Sequence, residues 1–137
     1  MARAWYTHIV AGRLQHSLRI FSRRVSVRAI RAPRSARLVL EHQGRLQTAL
    51  TDLVTRHLHR DVHDAREFVR LVKRLERVNI VTFHENYDAL RHKGNYRAAG
   101  IRLKSWQSVP VARRRFLWFR MLRGRVANSA KLGRATR

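Results

Sequence analysis

The acidic residues of this chain are confined to its middle. All eight (Glu41, Asp52, Asp61, Asp64, Glu67, Glu76, Glu85 and Asp88) lie between residues 41 and 88, where eight Arg and Lys cancel them. Residues 1–40 hold nine Arg and no acid, and residues 89–137 hold fourteen Lys and Arg and no acid. The whole formal charge of +23 therefore sits in the two flanks. Such segments repel themselves and expand unless a polyanion neutralises them. A fold built on this chain has to grow from the neutral centre, which is too short to bury a large core without help from the flanks or a partner. The layout is the electrostatic footprint of a nucleic-acid-binding chain.

At 45% hydrophobic, the sequence is not that of a disordered chain. The absence of cysteine excludes disulfides, thiolate catalysis and Cys-type zinc sites. No apolar run approaches the ~18 residues that a membrane span needs. The cations are 27 Arg against 4 Lys. Arg presents a planar fork of donors suited to phosphate oxygens and to stacking on bases. A GC-rich genome also raises Arg over Lys, but it does not explain flanks without acids. The first 31 residues are Arg-rich, acid-free and able to form an amphipathic helix, the marks of a mitochondrial import sequence. Either a retained import signal or a basic RNA-binding arm fits that segment.

Helical spacing dominates the apolar pattern. Trp5, Ile9, Leu14, Leu18, Phe21 and Val25 form a stripe that predicts a helix over 4–30, ended by Pro33. Leu46, Leu50, Leu53, Val54 and Leu58 predict a second helix over 35–59. Asp64-Ala65-Arg66-Glu67 has capping-box spacing, with Phe68, Leu71, Val72, Leu75 and Val78 following on one face. Residues 79–83 fit either a continued helix or a short extended piece, because β-branched residues cluster there. Gly94 and Gly100 bracket a loop. Ser108 and Pro110 open a fourth helix carrying Val111, Phe116, Trp118, Phe119, Leu122 and Val126. The expected fold class is all-α: a small body of about three to four helices with basic extensions. The expected segments are a basic N-terminal helix or extension (1–40), a neutral helical body (41–92) and a basic C-terminal loop, helix and tail (93–137).

The sharpest segment is Arg113 to Arg125, where six cations and three aromatics alternate. Cations neutralise phosphates, while aromatic and guanidinium planes stack on unpaired bases. The alternative is that Phe116, Trp118 and Phe119 pack inward and only the arginines face out. The candidate RNA-binding residues are Arg19, Arg23, Arg24, Arg28, Arg31, Arg34, Arg97, Arg102, Lys104, Arg113, Arg114, Arg115, Arg120, Arg123, Arg125, Lys131 and Arg134. His57, His59, His63 and Glu67 invite a metal reading, but an N-cap at Asp64 separates His59 from the following helix. No metal or cofactor is expected. No phosphate-cradling Gly loop, nucleophile elbow or apolar carboxylate pair is written in the chain, so no enzymatic activity or small-molecule substrate is expected.

With its Arg-rich, acid-free 1–40, its neutral middle and its basic 110–137 tail, the chain resembles mitochondrial ribosomal proteins as a class. That resemblance implies a structural subunit in the mitochondrial matrix, with ribosomal RNA and neighbouring ribosomal proteins as partners. Leu18-Arg19-Ile20-Phe21-Ser22-Arg23 is in part similar to the start of the first helix in the LYR-motif family of three-helix mitochondrial proteins. Thr55-Arg56-His57 and Asp61-Val62-His63-Asp64 loosely match that family's second-helix end and acidic turn. This second resemblance, over residues 18–85, implies an accessory subunit or assembly factor that binds an acidic partner through Arg23, Arg24 and Arg28. DNA compaction is a third reading of the charge.

Overall fold

Ile20-Phe21, Val25, Leu38-Val39-Leu40 and Val78-Asn79-Ile80-Val81 are short runs rich in β-branched and aromatic residues, which pack well on a pleated surface. Each lies in a strand of the computed structural model, which describes residues 18–42, 46–61 and 64–136, residues 46–48 by backbone alone. The elements are β1 (Ile20–Ser26), α1 (Val27–Arg31), β2 (Leu38–His42), α2 (Leu46–Arg60), α3 (Ala65–Leu75), β3 (Arg77–Thr82), α4 (Phe83–Arg91) and β4 (Leu103–Ser105). A 3-10 turn (Trp106–Ser108), α5 (Val111–Leu117), a π-helical turn (Trp118–Leu122) and α6 (Ser129–Arg134) complete the chain. The sheet order is β2-β3-β1-β4. β3 runs parallel to β1 and antiparallel to β2, and β4 is antiparallel to β1.

The expected all-α class is therefore wrong: the fold is a mixed sheet with helices. The helix expected over 4–30 is strand from Ile20 to Ser26, and helix follows only at Val27–Arg31; residues 1–17 lie outside the described residues. The helix expected over 35–59 gives way to β2 at 38–42 before α2 begins. Residues 79–82 are extended, and helix starts at Phe83. The cause of the error is physical. Phe21 and Val25 share a face at period 3.6 and also at period two, so their spacing does not separate helix from strand. Pairing with distant strands decides it. The helix implied by the LYR resemblance at Leu18–Arg23 is likewise β1 from Ile20 onward.

The main core joins sheet and C-terminal elements. Phe21, Val25, Leu38, Val78 and Ile80 pack with Trp106, Leu117, Met121, Leu122, Val126 and Leu132. Phe21 and Trp106 meet edge to face at 5.2 Å between ring centres. Each fully buried side chain of this kind contributes roughly 1.5–3 kcal/mol. The C-terminal basic segment is thus part of the body, and the sheet takes strands from all three sequence segments. A smaller cluster lies between α2 and α3, where Leu50 and Val72 are buried against Leu18, Phe68 and Leu71. Leu53 and Leu75 are buried as well. The side chain of Leu46, on the apolar face expected of the second helix, lies outside the described residues. Asp64 caps α3 as its spacing predicts, accepting from the Glu67 N–H at 3.1 Å.

Two local devices shape the sheet. Phe21 stands beside Val78 and Val25 beside Ile80, so four residues of β1 advance against two of β3. The surplus is a bulge at Ser22–Arg24, with Arg23 in the left-handed region at φ 64°. That conformation costs a non-glycine residue roughly 1 kcal/mol. Ser22 Oγ holds it, donating to Asn79 Oδ1 at 2.5 Å and accepting from the Arg24 N–H at 3.2 Å. The second device ties the ends of the parallel strands. Thr82 and Glu85 form a reciprocal capping box at the start of α4. Glu85 Oε2 also accepts from Ser26 Oγ at 2.5 Å, and Ser26 Oγ in turn caps α1 by accepting from the Ala29 N–H at 3.0 Å.

Candidate nucleic-acid interface

Pro110 ends an extended stretch, and the helix that follows carries Arg113, Arg114 and Arg115 on successive positions. Successive helical residues point in different directions, so the three side chains do different things. Arg113 Nη2 donates to the Ala29 carbonyl at 2.7 Å, tying α5 to α1. Arg115 Nε donates to the Thr136 carbonyl at 2.6 Å. Arg120, in the π-helical turn, donates from Nη1 to the Arg34 carbonyl. Three arginines of the sharpest sequence segment therefore fasten backbone carbonyls. Arg113, Arg34 and Arg120 also surround the Phe116 ring at 4.7, 5.3 and 5.7 Å. Burial, with Arg120 and Arg34 adding like charge, lowers the Arg113 guanidinium below its ordinary pKa.

The aromatics of the segment divide. Phe116 and Trp118 pack against the main core. Trp118 Nε1 donates to the Ser129 carbonyl at 2.8 Å. Phe119 is 66% exposed, with Arg123 at 5.3 Å from its ring centre. Phe119 is thus the one aromatic of this run presented to solvent.

The remaining candidates gather around three clefts or stand exposed elsewhere on the surface. Arg23, Arg24, Arg114 and Lys131 line a cleft of about 380 Å3 with Ser22, Ser105, Trp106 and Gln107. Arg28, Arg31 and Arg102 line another of about 380 Å3 beside Glu85, whose carboxylate is already engaged by Ser26 and Thr82. Arg125 and Arg19 line a third with Arg37 and Met121. Arg34, Arg97, Lys104, Arg123 and Arg134 are exposed. Arg19 is the exception among the N-terminal cations. Its side chain is 22% exposed, its Nε lies 4.0 Å from Glu76 Oε2, and burial lowers its pKa.

The acids are largely turned inward or occupied. Glu76 and Glu85 are buried. Glu67 meets His57 at 3.0 Å and Arg56 at 3.4 Å, and the His57 hydrogen bond holds its carboxyl below the usual range. Glu76 hydrogen-bonds His42 Nε2 at 3.1 Å. Burial raises Glu76 to about 7 and lowers His42 to about 4, with the Arg19 charge adding to the latter. Burial also lifts Glu41 to about 7, and its Oε2 has no hydrogen-bond partner.

Sequence reasoning passed over two cation–aromatic pairs. Arg37 lies 4.4 Å from the Phe83 ring centre and Arg91 5.9 Å from that of Tyr87. The four-residue step from Tyr87 to Arg91 on one helix was a usable signal. The Arg37–Phe83 pair depends on β2–β3 pairing and had none. Among the described residues, no three His, Asp or Glu converge to hold a metal ion, and no helix is long and apolar enough to cross a membrane. Comparison with protein-family models, characterised proteins and solved structures finds no match to this chain.

Proposed function

We propose that this chain is a structural RNA-binding subunit of the mitochondrial ribosome, neutralising closely packed rRNA phosphates and pinning neighbouring elements. The observation that carries the reading is that the acid-free flanks fold with most of their cations exposed. Glu76 and Glu85 are buried, while Arg23, Arg24, Arg28, Arg31, Arg97, Arg102, Lys104, Arg123, Arg125, Lys131 and Arg134 are exposed on β1, α1, β4 and the C-terminal elements. A surface of that kind binds polyanions by counterion release. The α2–α3 hairpin balances six Arg and Lys with four acids and exposes Leu58 and Val69, which suits it to a protein neighbour better than the acid-free flanks. The role is architectural and involves no chemical step.

The test is sedimentation. A tagged full-length chain, expressed in its own cells, should travel through a sucrose gradient of mitochondrial lysate with a ribosomal particle. RNase or high salt should release it. Migration with a respiratory or other protein complex, unaffected by RNase, would overturn the proposal.

A further inference from the structure

Of the three basic clefts, the one between the β1 bulge, the 3-10 turn and α6 gathers four cations where the others gather three. Arg23, Arg24, Arg114 and Lys131 converge on it, and no acid lies among its lining residues. Four cations brought together without a counter-charge repel one another, an arrangement that a bound anion relieves. Ser105 and Gln107 add neutral polar groups at the rim. The bulge that places Arg23 and Arg24 there is strained at Arg23, φ 64°, and is held by its own serine, Ser22. Strain of this kind persists where surrounding contacts over-determine it, and it concentrates at ligand sites.

Two lining residues carry buried donors with no acceptor. Trp106 is 3% exposed, and its Nε1 has no hydrogen-bond partner; Arg114 Nε has none either. Leaving such a donor unmade costs about 1–3 kcal/mol, so buried donors are almost always matched. Trp118 provides the contrast, since its Nε1 is bonded to the Ser129 carbonyl. An oxyanion seated in the cleft supplies acceptors that the protein lacks there, reached by a small side-chain shift. The volume of about 380 Å3 exceeds what one phosphate needs and suits a short piece of strand.

From this juxtaposition we infer that the cleft of Arg23, Arg24, Arg114, Lys131 and Trp106 seats two successive phosphodiesters of a single RNA strand. The inference rests on the RNA-binding reading above and assigns it a specific seat. Phosphate contacts of this type position the strand without reading its sequence.

The experiment uses full-length, 15N-labelled protein and a single-stranded oligouridylate hexamer. Indole N–H signals are assigned with Trp106→Phe and Trp118→Phe variants. The Trp106 signal should move saturably as the hexamer is added, while the Trp118 signal stays. The double variant Arg23→Gln/Lys131→Gln changes two exposed side chains, and circular dichroism checks that it folds. It should bind the hexamer at least tenfold more weakly. Its slope of log affinity against log salt should be shallower by about 1.4, at about 0.7 per single-strand phosphate. A double variant with unchanged affinity and slope, and an unmoved Trp106 signal while other basic residues respond, overturns the cleft but leaves RNA binding standing. A wild-type protein that binds no RNA overturns both. Equal displacement of the Trp106 signal by inorganic phosphate alone, with no gain for the hexamer, reduces the cleft to a free-anion site and also overturns the inference.

Discussion

Replacing Glu85 tests whether one carboxylate joins the ends of the two parallel strands. Glu85 is 2% exposed, and its Oε2 accepts from the Ser26 hydroxyl and from the Thr82 N–H at 2.9 Å. Hydrogen bonds to a charged group contribute about 1.5–3 kcal/mol each, and buried donors left behind carry their full desolvation cost. Glu85→Ala removes both bonds and should destabilise the fold by about 3–5 kcal/mol, a large share of a typical domain's stability. Glu85→Gln keeps an acceptor oxygen and should cost only about 1–2 kcal/mol, the charge assistance. Ser26→Ala removes one of the two bonds and the cap on α1, so the Glu85→Ala and Ser26→Ala effects should fall short of additivity by about 1–2 kcal/mol. Urea unfolding followed by far-ultraviolet circular dichroism, at one fixed salt concentration, measures the wild type, the three single variants and the Glu85→Ala/Ser26→Ala double variant. An alanine variant that loses under 1 kcal/mol, or a cycle whose coupling is near zero, would show that the strand ends are held by something else.

Three further outcomes are expected. Gly133→Ala would normally favour a helix by up to ~1 kcal/mol, but its Cβ would lie 2.7 Å from the Trp118 ring. It should instead destabilise by about 1–3 kcal/mol in urea unfolding, with altered Trp fluorescence, and a gain in stability would refute the packing. Glu41 has its pKa raised to about 7, so the stability linked to it is complete below about 4.5 and lost as pH rises through 7. Glu41→Gln should therefore be nearly neutral at pH 5 and stabilising by roughly 1–2 kcal/mol at pH 8 after allowing for solvent screening; equal effects at both pH values would contradict burial as the cause. With a formal charge of +23, the isolated protein should melt at a higher temperature as salt or RNA is added, and a scanning-calorimetry midpoint independent of both would argue against self-repulsion.

What could be read in the sequence was mainly local. Asp64 three residues before Glu67 caps α3, Pro110 precedes α5, and the Gly94–Gly100 stretch is a turn, because neighbours along the chain decide these features. The Thr82-x-x-Glu85 box at α4 was equally local, but the ambiguity assigned to residues 79–83 hid it. The strands were not legible, since β1 depends on β3, and the Ser22–Asn79 bond spans 57 residues. The same distance problem affects the candidate interface. Arg113 and Arg120 reach carbonyls 84 and 86 residues away, so their anchoring roles have no signature in the Arg-rich run itself. Arg23, Arg24, Arg114 and Lys131 were each identified as candidates, but nothing in their spacing places them around one cleft.

The β2–β3 pair also has an architectural consequence. His42 lies across from Val78, so the chain leaves one strand and enters its antiparallel neighbour at the same level of the sheet. A tight turn would suffice to join them. The chain builds the α2–α3 hairpin there instead, as an outgrowth from a junction the sheet does not need for its own threading. Such a position tolerates growth, shrinkage or replacement without disturbing strand order. Lengthening or shortening that appendage would accordingly leave the sheet and the cations displayed around it where they are.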